Sequence, residues 1–281
     1  MPFPKVVDQH KPDKRSVPSG YGIFYAVLSV CYWLILVFFG VDGAQPLSLA
    51  TSVLFGSTMG LFDDMANLRW RYKAILPVFA ALPYMVLRPS DRTTVSTLLS
   101  GSVNLGALFF LVLVPVIVTI VTNSYNQLGG LNGLEAGSGF IALFGLTLIS
   151  GDWTLMGFPI LVLAVLTYLS FTGKAFIGNV GSFSVGLTLA VFAIVENLKL
   201  MLLVSFLPFM ANSVLILYSN YLLHDRAETL VDQDGRLYAQ RIRSLRTLLL
   251  HFKHMTERQV VVALYLIMAV FVAAGAIMAL L

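Results

Sequence analysis

Nine apolar stretches separated by short polar segments constrain this chain more than any other feature. They cover residues 20–40, 47–62, 74–87, 105–122, 138–150, 155–171, 181–195, 200–220 and 260–281. A helix that crosses a bilayer needs about 20 residues at about 1.5 Å rise each. The windows 74–87 and 138–150 are short by that measure, so the first of them is expected to begin inside the basic segment before it. Hydrophobic residues make up 58% of the chain and charged residues 11%, where a soluble domain carries about 25% charged residues. A single soluble globule is therefore excluded. The pattern implies an all-α, polytopic membrane protein with about nine transmembrane helices, forming one integral-membrane domain over residues 1–281. Cys31 is the one cysteine, so neither an intrachain disulfide nor a cysteine metal cluster can form. The first residues are polar and proline-rich, which predicts no cleavable signal peptide.

Basic residues set the expected orientation. Short cytoplasmic loops carry an excess of Lys and Arg. With the N-terminus cytoplasmic, residues 1–19, 63–73, 172–180 and 221–259 hold 15 of the 18 Lys and Arg residues, leaving Arg88, Arg92 and Lys199 outside. This places the C-terminus outside. It also puts the loops at about 1–19, 63–73, 123–137, 172–180 and 221–259 on one cytoplasmic face, where a site would lie. The membrane is the plasma membrane in a prokaryote and the endoplasmic reticulum in a eukaryote. The formal charge of +4 follows from this asymmetry and does not call for nucleic acid as a partner. The spans lack the isolated mid-membrane charges of transport pathways, which argues against a transporter.

Polar chemistry concentrates first in LFDDMANLRWRYKAILP, residues 61–77. If the helix continues through it, Asp63, Asn67, Trp70 and Lys73 share one broad face. An ammonium answers phosphate charge, an indole offers a sugar a flat surface, and paired carboxylates can serve a metal or a proton. The plainer reading makes Trp70 and Tyr72 interfacial belt residues, Arg69 and Arg71 membrane anchors, and Asp63–Asp64 a solvated helix end.

A second concentration is TNSYNQLGGLNGLEAGSG, residues 122–139, with Asn123, Asn126, Asn132 and Glu135 among five glycines. Glycine lets backbone approach a ligand closely, and side-chain amides suit a uracil edge or the oxygen shell of a metal. A simple interhelical turn uses the same residues. The third, GKAFIGNVGS over 173–182, leads a Gly-Asn-Val-Gly turn into a helix whose N-terminus could take an anion; taken alone, it reads first as a tight interhelical turn. In 221–259, LVDQDGRLYAQ carries an Asp-Gly signal for a small hairpin. Arg236, Arg241, Arg243, Arg246, Lys253 and Arg258 there suit anionic lipid or a solvated loop.

DDMANLRWRYK, NSYNQLGGLNGLEAG and FIGNVGS occur in this order and spacing, preceded by Asp8–Gly22 in the pattern DxHKxDKxxxPxxxG. Together they resemble the polyprenyl-phosphate N-acetylhexosamine-1-phosphate transferases over about residues 8–219. The likeness is nearest to the dolichyl-phosphate GlcNAc-1-phosphate transferases and more distant to the MraY and WecA types. Members of that family have ten helices, an outside N-terminus and a cytoplasmic active site, so this chain resembles one without the first helix.

The resemblance implies transfer of a sugar-1-phosphate, GlcNAc-1-phosphate above all, from a UDP-sugar to polyprenyl or dolichyl phosphate within the bilayer. UMP is released, and the step begins lipid-linked glycan synthesis. Mg²⁺ is the implied cofactor, with Mn²⁺ as an alternative, and a homodimer is among the assemblies it allows. Matched by position, Asp63 resembles the base or lipid-phosphate organiser, with Asp64 beside it, and Lys73 a phosphate contact. Asn67 and Trp70 match positions near the sugar, and Asn126 and Asn179 the metal ligands. Asn132 and Phe176 match uridine contacts, Asn123 and Glu135 complete the substrate-binding set, and Arg226 is what remains of a basic PRHRIP-type segment. Three positions depart from the family pattern. Gly178-Asn179-Val180-Gly181 stands where the family has a GDTG-like turn, Ser19 replaces a glutamate, and the basic segment has no full counterpart. A catalytically degenerate relative that binds nucleotide-sugar or supports a partner is the competing reading.

Overall fold

The computed structural model describes residues 3–8, 16–41, 43–88, 93–97, 101–225 and 228–281. In chain order the elements are β1 Lys5–Val7, β2 Ser16–Pro18, α1 Gly22–Phe38, α2 Ala44–Ala66, α3 Trp70–Ile75, α4 Pro77–Ala80, α5 Leu82–Leu87, β3 Thr94–Thr97 and β4 Gly101–Asn104. A π-helical turn, Phe109–Leu113, then runs into α6 Val114–Asn126. It is followed by α7 Leu134–Ser150, α8 Trp153–Phe171, α9 Gly178–Val195, α10 Lys199–Ser205, α11 Leu207–Tyr221, β5 Leu230–Val231, β6 Leu237–Tyr238, α12 Leu245–Phe252 and α13 Glu257–Leu280.

Each of the nine apolar windows is helical. Among the described residues, however, four helices are long and apolar enough to cross a membrane alone: Phe109–Asn126, α8, α9 and α13. The pair α10 and α11 makes a fifth if taken as one span bent by 52°. Pro208 in the first turn of α11 has no N–H to continue the ladder, which accounts for the bend. The window 74–87 does start inside the basic segment, at Trp70, but it is broken into α3, α4 and α5. Pro77 and Pro83 open the second and third of these pieces. α2 is long enough to cross but carries Ser, Thr and two Asp along its length. The chain is mostly helical, as expected, and among the described residues three two-stranded antiparallel pairs accompany the helices. The hairpin expected at the Asp-Gly signal is one of them, pairing Leu230 with Tyr238 and Val231 with Leu237. Gly235 takes the positive φ of 72° that its turn requires.

α9 is the axis of the bundle. Of its apolar window 89% is buried, against 39% for α8 and 33% for α13, so the latter two are peripheral. The outer face of α13 shows Val262, Leu266, Val270 and Ile277 to the surroundings, while Val261, Leu264, Met268 and Val272 are buried. That one-sided apolar stripe suits hydrocarbon rather than water, and the chain is a membrane protein.

Small residues bring the central helices together. A Cβ on Gly60 would stand 2.5 Å from the backbone of Asn179 and Val180, and one on Gly22 would stand 2.1 Å from Gly181 Cα. Without side chains there, α1 and α2 press directly onto the start of α9, as small residues permit between membrane helices. Buried polar groups add specific ties. The Tyr25 hydroxyl donates to Thr188 Oγ1 at 3.0 Å, and Trp33 Nε1 donates to the Leu155 carbonyl at 2.9 Å, joining α1 to α9 and α8.

Candidate functional site

The C-terminal ends of α2 and α6 and the N-terminal ends of α7 and α9 meet at one end of the bundle. Four sequence-distant segments converge there because Gly60 lets α2 close on α9. Asp64, in the last turn of α2, accepts hydrogen bonds from the backbone N–H groups of Asn179 at 2.9 Å and Val180 at 3.0 Å. It thereby satisfies two of the open donors that every helix start presents, with its charge at the positive end of the helix. Gly178 holds φ at 68°, and any Cβ there would strike Asp64 Oδ2 at 2.8 Å. The turn into α9 is thus moulded around the carboxylate. Across from it, Asn126 Nδ2 donates to Asn179 Oδ1 at 2.9 Å.

These groups line a polar cavity of about 440 Å³. Its wall includes Asp64, Asn126, Asn132, Glu135, Phe176 and Asn179, so six of the residues singled out from sequence meet in one space. The Glu135 carboxylate accepts a hydrogen bond from the Ser182 hydroxyl of α9. The Asn132 N–H donates to Glu257 Oε1 at 2.8 Å, and its side chain donates to Asp8 Oδ2 at 2.9 Å. Asp8 and Ser19 also line the cavity. The N-terminal hairpin reaches it because Phe176 N–H donates to the Pro18 carbonyl and Tyr21 N–H donates to the Phe176 carbonyl.

A second space lies alongside. This groove of about 590 Å³ is lined by Trp70, Lys73, Asn123 and Asn126, with the apolar flank of α11 opposite, including Met210, Val214 and Leu217. Asn126 belongs to both walls. Trp70 packs edge-on against Tyr221 with ring centroids 5.0 Å apart. Asn123 reaches the Ala74 carbonyl through its amide at 3.4 Å. Lys73 turns back to Asp63, with Nζ and Oδ2 2.8 Å apart, and the Asp63 side chain is only 1% exposed. The other oxygen of Asp63 accepts from the Leu68 N–H at 2.9 Å.

The segment 63–73, read as a loop, holds a break between two helices, so the helical face that Asp63, Asn67, Trp70 and Lys73 would share in a continuous helix does not form. α2 stops at Ala66, Asn67 adopts the left-handed conformation at φ 47° and ψ 67°, and the chain restarts as a helix at Trp70. Asn67 is exposed and lines neither space, so its expected place near a sugar finds no support in the geometry. Arg226 lies outside the described residues. Sequence reading passed over Asp8, Ser182 and Ser170, the last a residue of the cavity wall whose hydroxyl accepts from the Gly133 N–H at 3.1 Å. Asp8 stood in the N-terminal pattern, but nothing local indicated that it reaches Asn132, 124 positions away.

The residues expected to hold Mg²⁺ or Mn²⁺ can be tested on their hydrogen bonds. Asn126 and Asn179 are neutral amides bonded to each other, and Asp64 is committed to the start of α9. Among the described residues, no group of three His, Cys, Asp or Glu side chains could hold a metal ion. A hard divalent cation prefers a shell with carboxylate oxygens, and the donor set here does not fit a resident one.

Comparison with known proteins agrees with this geometry. A profile of the family described as Glycosyl transferase family 4 matches residues 46–197, which include the ends of α2, α6, α7 and α9. A protein of Saccharolobus solfataricus, assigned the name UDP-N-acetylglucosamine–dolichyl-phosphate N-acetylglucosaminephosphotransferase, is 29% identical over 276 residues, covering 94% of this chain and 84% of its own. One of the same name in Dictyostelium discoideum is 28% identical over 243 residues, 70% of this chain and 60% of its own. A phospho-N-acetylmuramoyl-pentapeptide-transferase of Prochlorococcus marinus is 27% identical over 207 residues, 66% of this chain and 57% of its own.

Proposed function

Since the chain belongs to glycosyl transferase family 4, we propose that it transfers GlcNAc-1-phosphate from UDP-GlcNAc to dolichyl or another polyprenyl phosphate, with release of UMP. The observation that carries this reading is the juxtaposition of a polar cavity and an apolar groove, separated at Asn126. One substrate is water-soluble and the other is a lipid, and the reaction needs their phosphates side by side.

In the step itself, an oxygen of the lipid phosphate attacks the phosphorus that bears the sugar. The bond from that phosphorus to the oxygen bridging to UMP breaks, and its electron pair leaves with UMP. A phosphate monoester is largely ionised at neutral pH, its second pKa being about 6, so no base is needed to create the nucleophile. The work left to the protein is positioning and charge compensation. Lys73 brings an ammonium to the lipid phosphate, held in place by the buried Asp63 carboxylate. Trp70 and α11 form the bed for the prenyl chain. Phe176 offers the uracil ring a face, and Asn132 and Glu135 supply polar contacts around the nucleotide-sugar, while Asn123 lies on the wall of the lipid groove. The distribution of Lys and Arg supports an orientation with this end of the bundle facing the cytoplasm, and the nine apolar windows support nine crossings.

The test is UMP release by the purified protein in nanodiscs from UDP-GlcNAc and dolichyl phosphate, with MgCl₂ present. The wild type should release UMP, and Asp63→Asn should lose most of that activity. Binding of UDP-GlcNAc by a folded wild-type protein with no turnover would replace the transfer reading with a binding-only member of the family.

A further inference from the structure

Position 179 is where an amide changes the electrostatics of the cavity. The Asp64 carboxylate accepts from the backbone N–H groups of Asn179 and Val180 at 2.9 and 3.0 Å. Asn179 Oδ1 in turn accepts from Asn126 Nδ2 at 2.9 Å. The result is an ordered run from α2 through the start of α9 to the end of α6. Its single negative charge rests on a helix N-terminus, which compensates part of it. A carboxylate at 179 would stand beside Asp64, and two like charges sharing one site require a cation or a proton between them. An amide removes that requirement, and it can both donate and accept within the run. The relation holds whichever of the two amides is the donor, because neither carries a charge.

We propose that the Asp64–Asn179–Asn126 hydrogen-bond run takes the place of a resident divalent cation, so that this cavity is organised in the metal-free protein. The inference deepens the transfer reading above, but it is tested by binding and stability, so the failure of one is distinguishable from the failure of the other.

Mn²⁺ serves as the probe, followed by the loss of the free-ion electron paramagnetic resonance signal in the absence of nucleotide. Wild-type protein should take up Mn²⁺ at this site only at millimolar concentration. Asn179→Asp should bind it at least tenfold more tightly. The melting midpoint of Asn179→Asp should fall in EDTA and recover with Mn²⁺, while that of the wild type should not respond to either. Micromolar uptake by the wild type that Asn126→Ala abolishes would overturn the proposal, as would a folded Asn179→Asp protein with no gain in Mn²⁺ affinity. If Asn179→Asp does not fold, the wild-type titration and its Asn126→Ala comparison still decide the matter.

Discussion

Gly60→Ala is the substitution whose sign depends most directly on how α2 meets α9. In an isolated helix it would stabilise by roughly 1 kcal/mol, because glycine loses more backbone entropy on ordering than alanine. In place, the new Cβ would stand 2.5 Å from the Asn179 carbonyl oxygen and Val180 Cα. Backbone atoms cannot rotate away, so the helices must part by about 1 Å to reach ordinary van der Waals separation. That displacement lies along the contacts of Asp64 with the Asn179 and Val180 N–H groups, now 2.9 and 3.0 Å. Lengthened by about 1 Å they cease to be hydrogen bonds. Each bond to a charged group is worth about 1.5–3 kcal/mol. Even the loss of both at the low end, offset by the helix-propensity gain, leaves a net destabilisation of at least about 2 kcal/mol.

The control is Gly157→Ala in α8, where an added Cβ meets nothing within 4 Å and should stabilise by about 0.5–1 kcal/mol. Thermal unfolding in detergent and titration with UDP-GlcNAc measure both variants. The Gly60 variant should melt earlier and bind more weakly, and the Gly157 variant should do neither. Equal behaviour of the two would refute the claim that direct backbone contact of α2 and α9 builds the cavity.

Two further outcomes follow from the ion pairs. Lys73→Ala leaves the Asp63 carboxylate, 1% exposed, without its cation, and breaking a buried pair from one side costs about 3–5 kcal/mol; the double variant Asp63→Asn/Lys73→Ala should recover most of the lost thermal stability, which separates burial of a charge from general damage. In the segment after α11, hydrogen bonds from Arg241 and Arg243 hold the Asp225 carboxyl below the usual carboxylate range, and the side chain of His254 with the backbone N–H of Arg236 does the same for Asp232. A depressed carboxyl stabilises the folded form above its unfolded pKa of roughly 3.9 and loses that contribution as pH falls through the folded value, so limited proteolysis should leave this segment intact at pH 5–7 and cleave it below about pH 4.

Membrane class and the helical windows were legible in the sequence because hydrocarbon demands long apolar runs and penalises exposed backbone. The hairpin at Leu230–Tyr238 was legible from its Asp-Gly turn, which acts locally. Breaks inside windows were harder to foresee. Pro77, Pro83 and Pro208 interrupt apolar runs that hydropathy averages over, and the left-handed turn at Asn67 within the loop 63–73 has no signal in residue spacing. Six candidate side chains around the cavity were found from short ordered motifs, yet their chemical commitments were not. Asp64 reads as a free carboxylate beside Asp63 until α9 is seen to begin on it. Its partners lie 115 and 116 positions away, and no local pattern encodes that distance. The same holds for Asp8, which a single amide of Asn132 draws to the cavity wall.

The separation of Asp63 from Asp64 shows how two adjacent carboxylates come to do different things. Consecutive residues on a helix point about 100° apart. From the last turn of α2, one side chain therefore faces α9 and the polar cavity, and the other faces the restart at Trp70 and the apolar groove. Asp64 commits its charge to the helix start that shapes the polar cavity. Asp63 pairs with Lys73, which lines the apolar groove. A helix that continued through Asn67 would carry Lys73 along the axis, about 15 Å from Asp63 at 1.5 Å per residue. The left-handed turn at Asn67 folds the chain back, so that Lys73 Nζ comes within 2.8 Å of Asp63 Oδ2. In the reaction proposed above, an unpaired carboxylate at 63 would repel an incoming lipid phosphate, whereas one already neutralised by an ammonium could present that ammonium to it. On that reading, the break in the helix is what would let a doubly acidic motif serve a reaction between two anions.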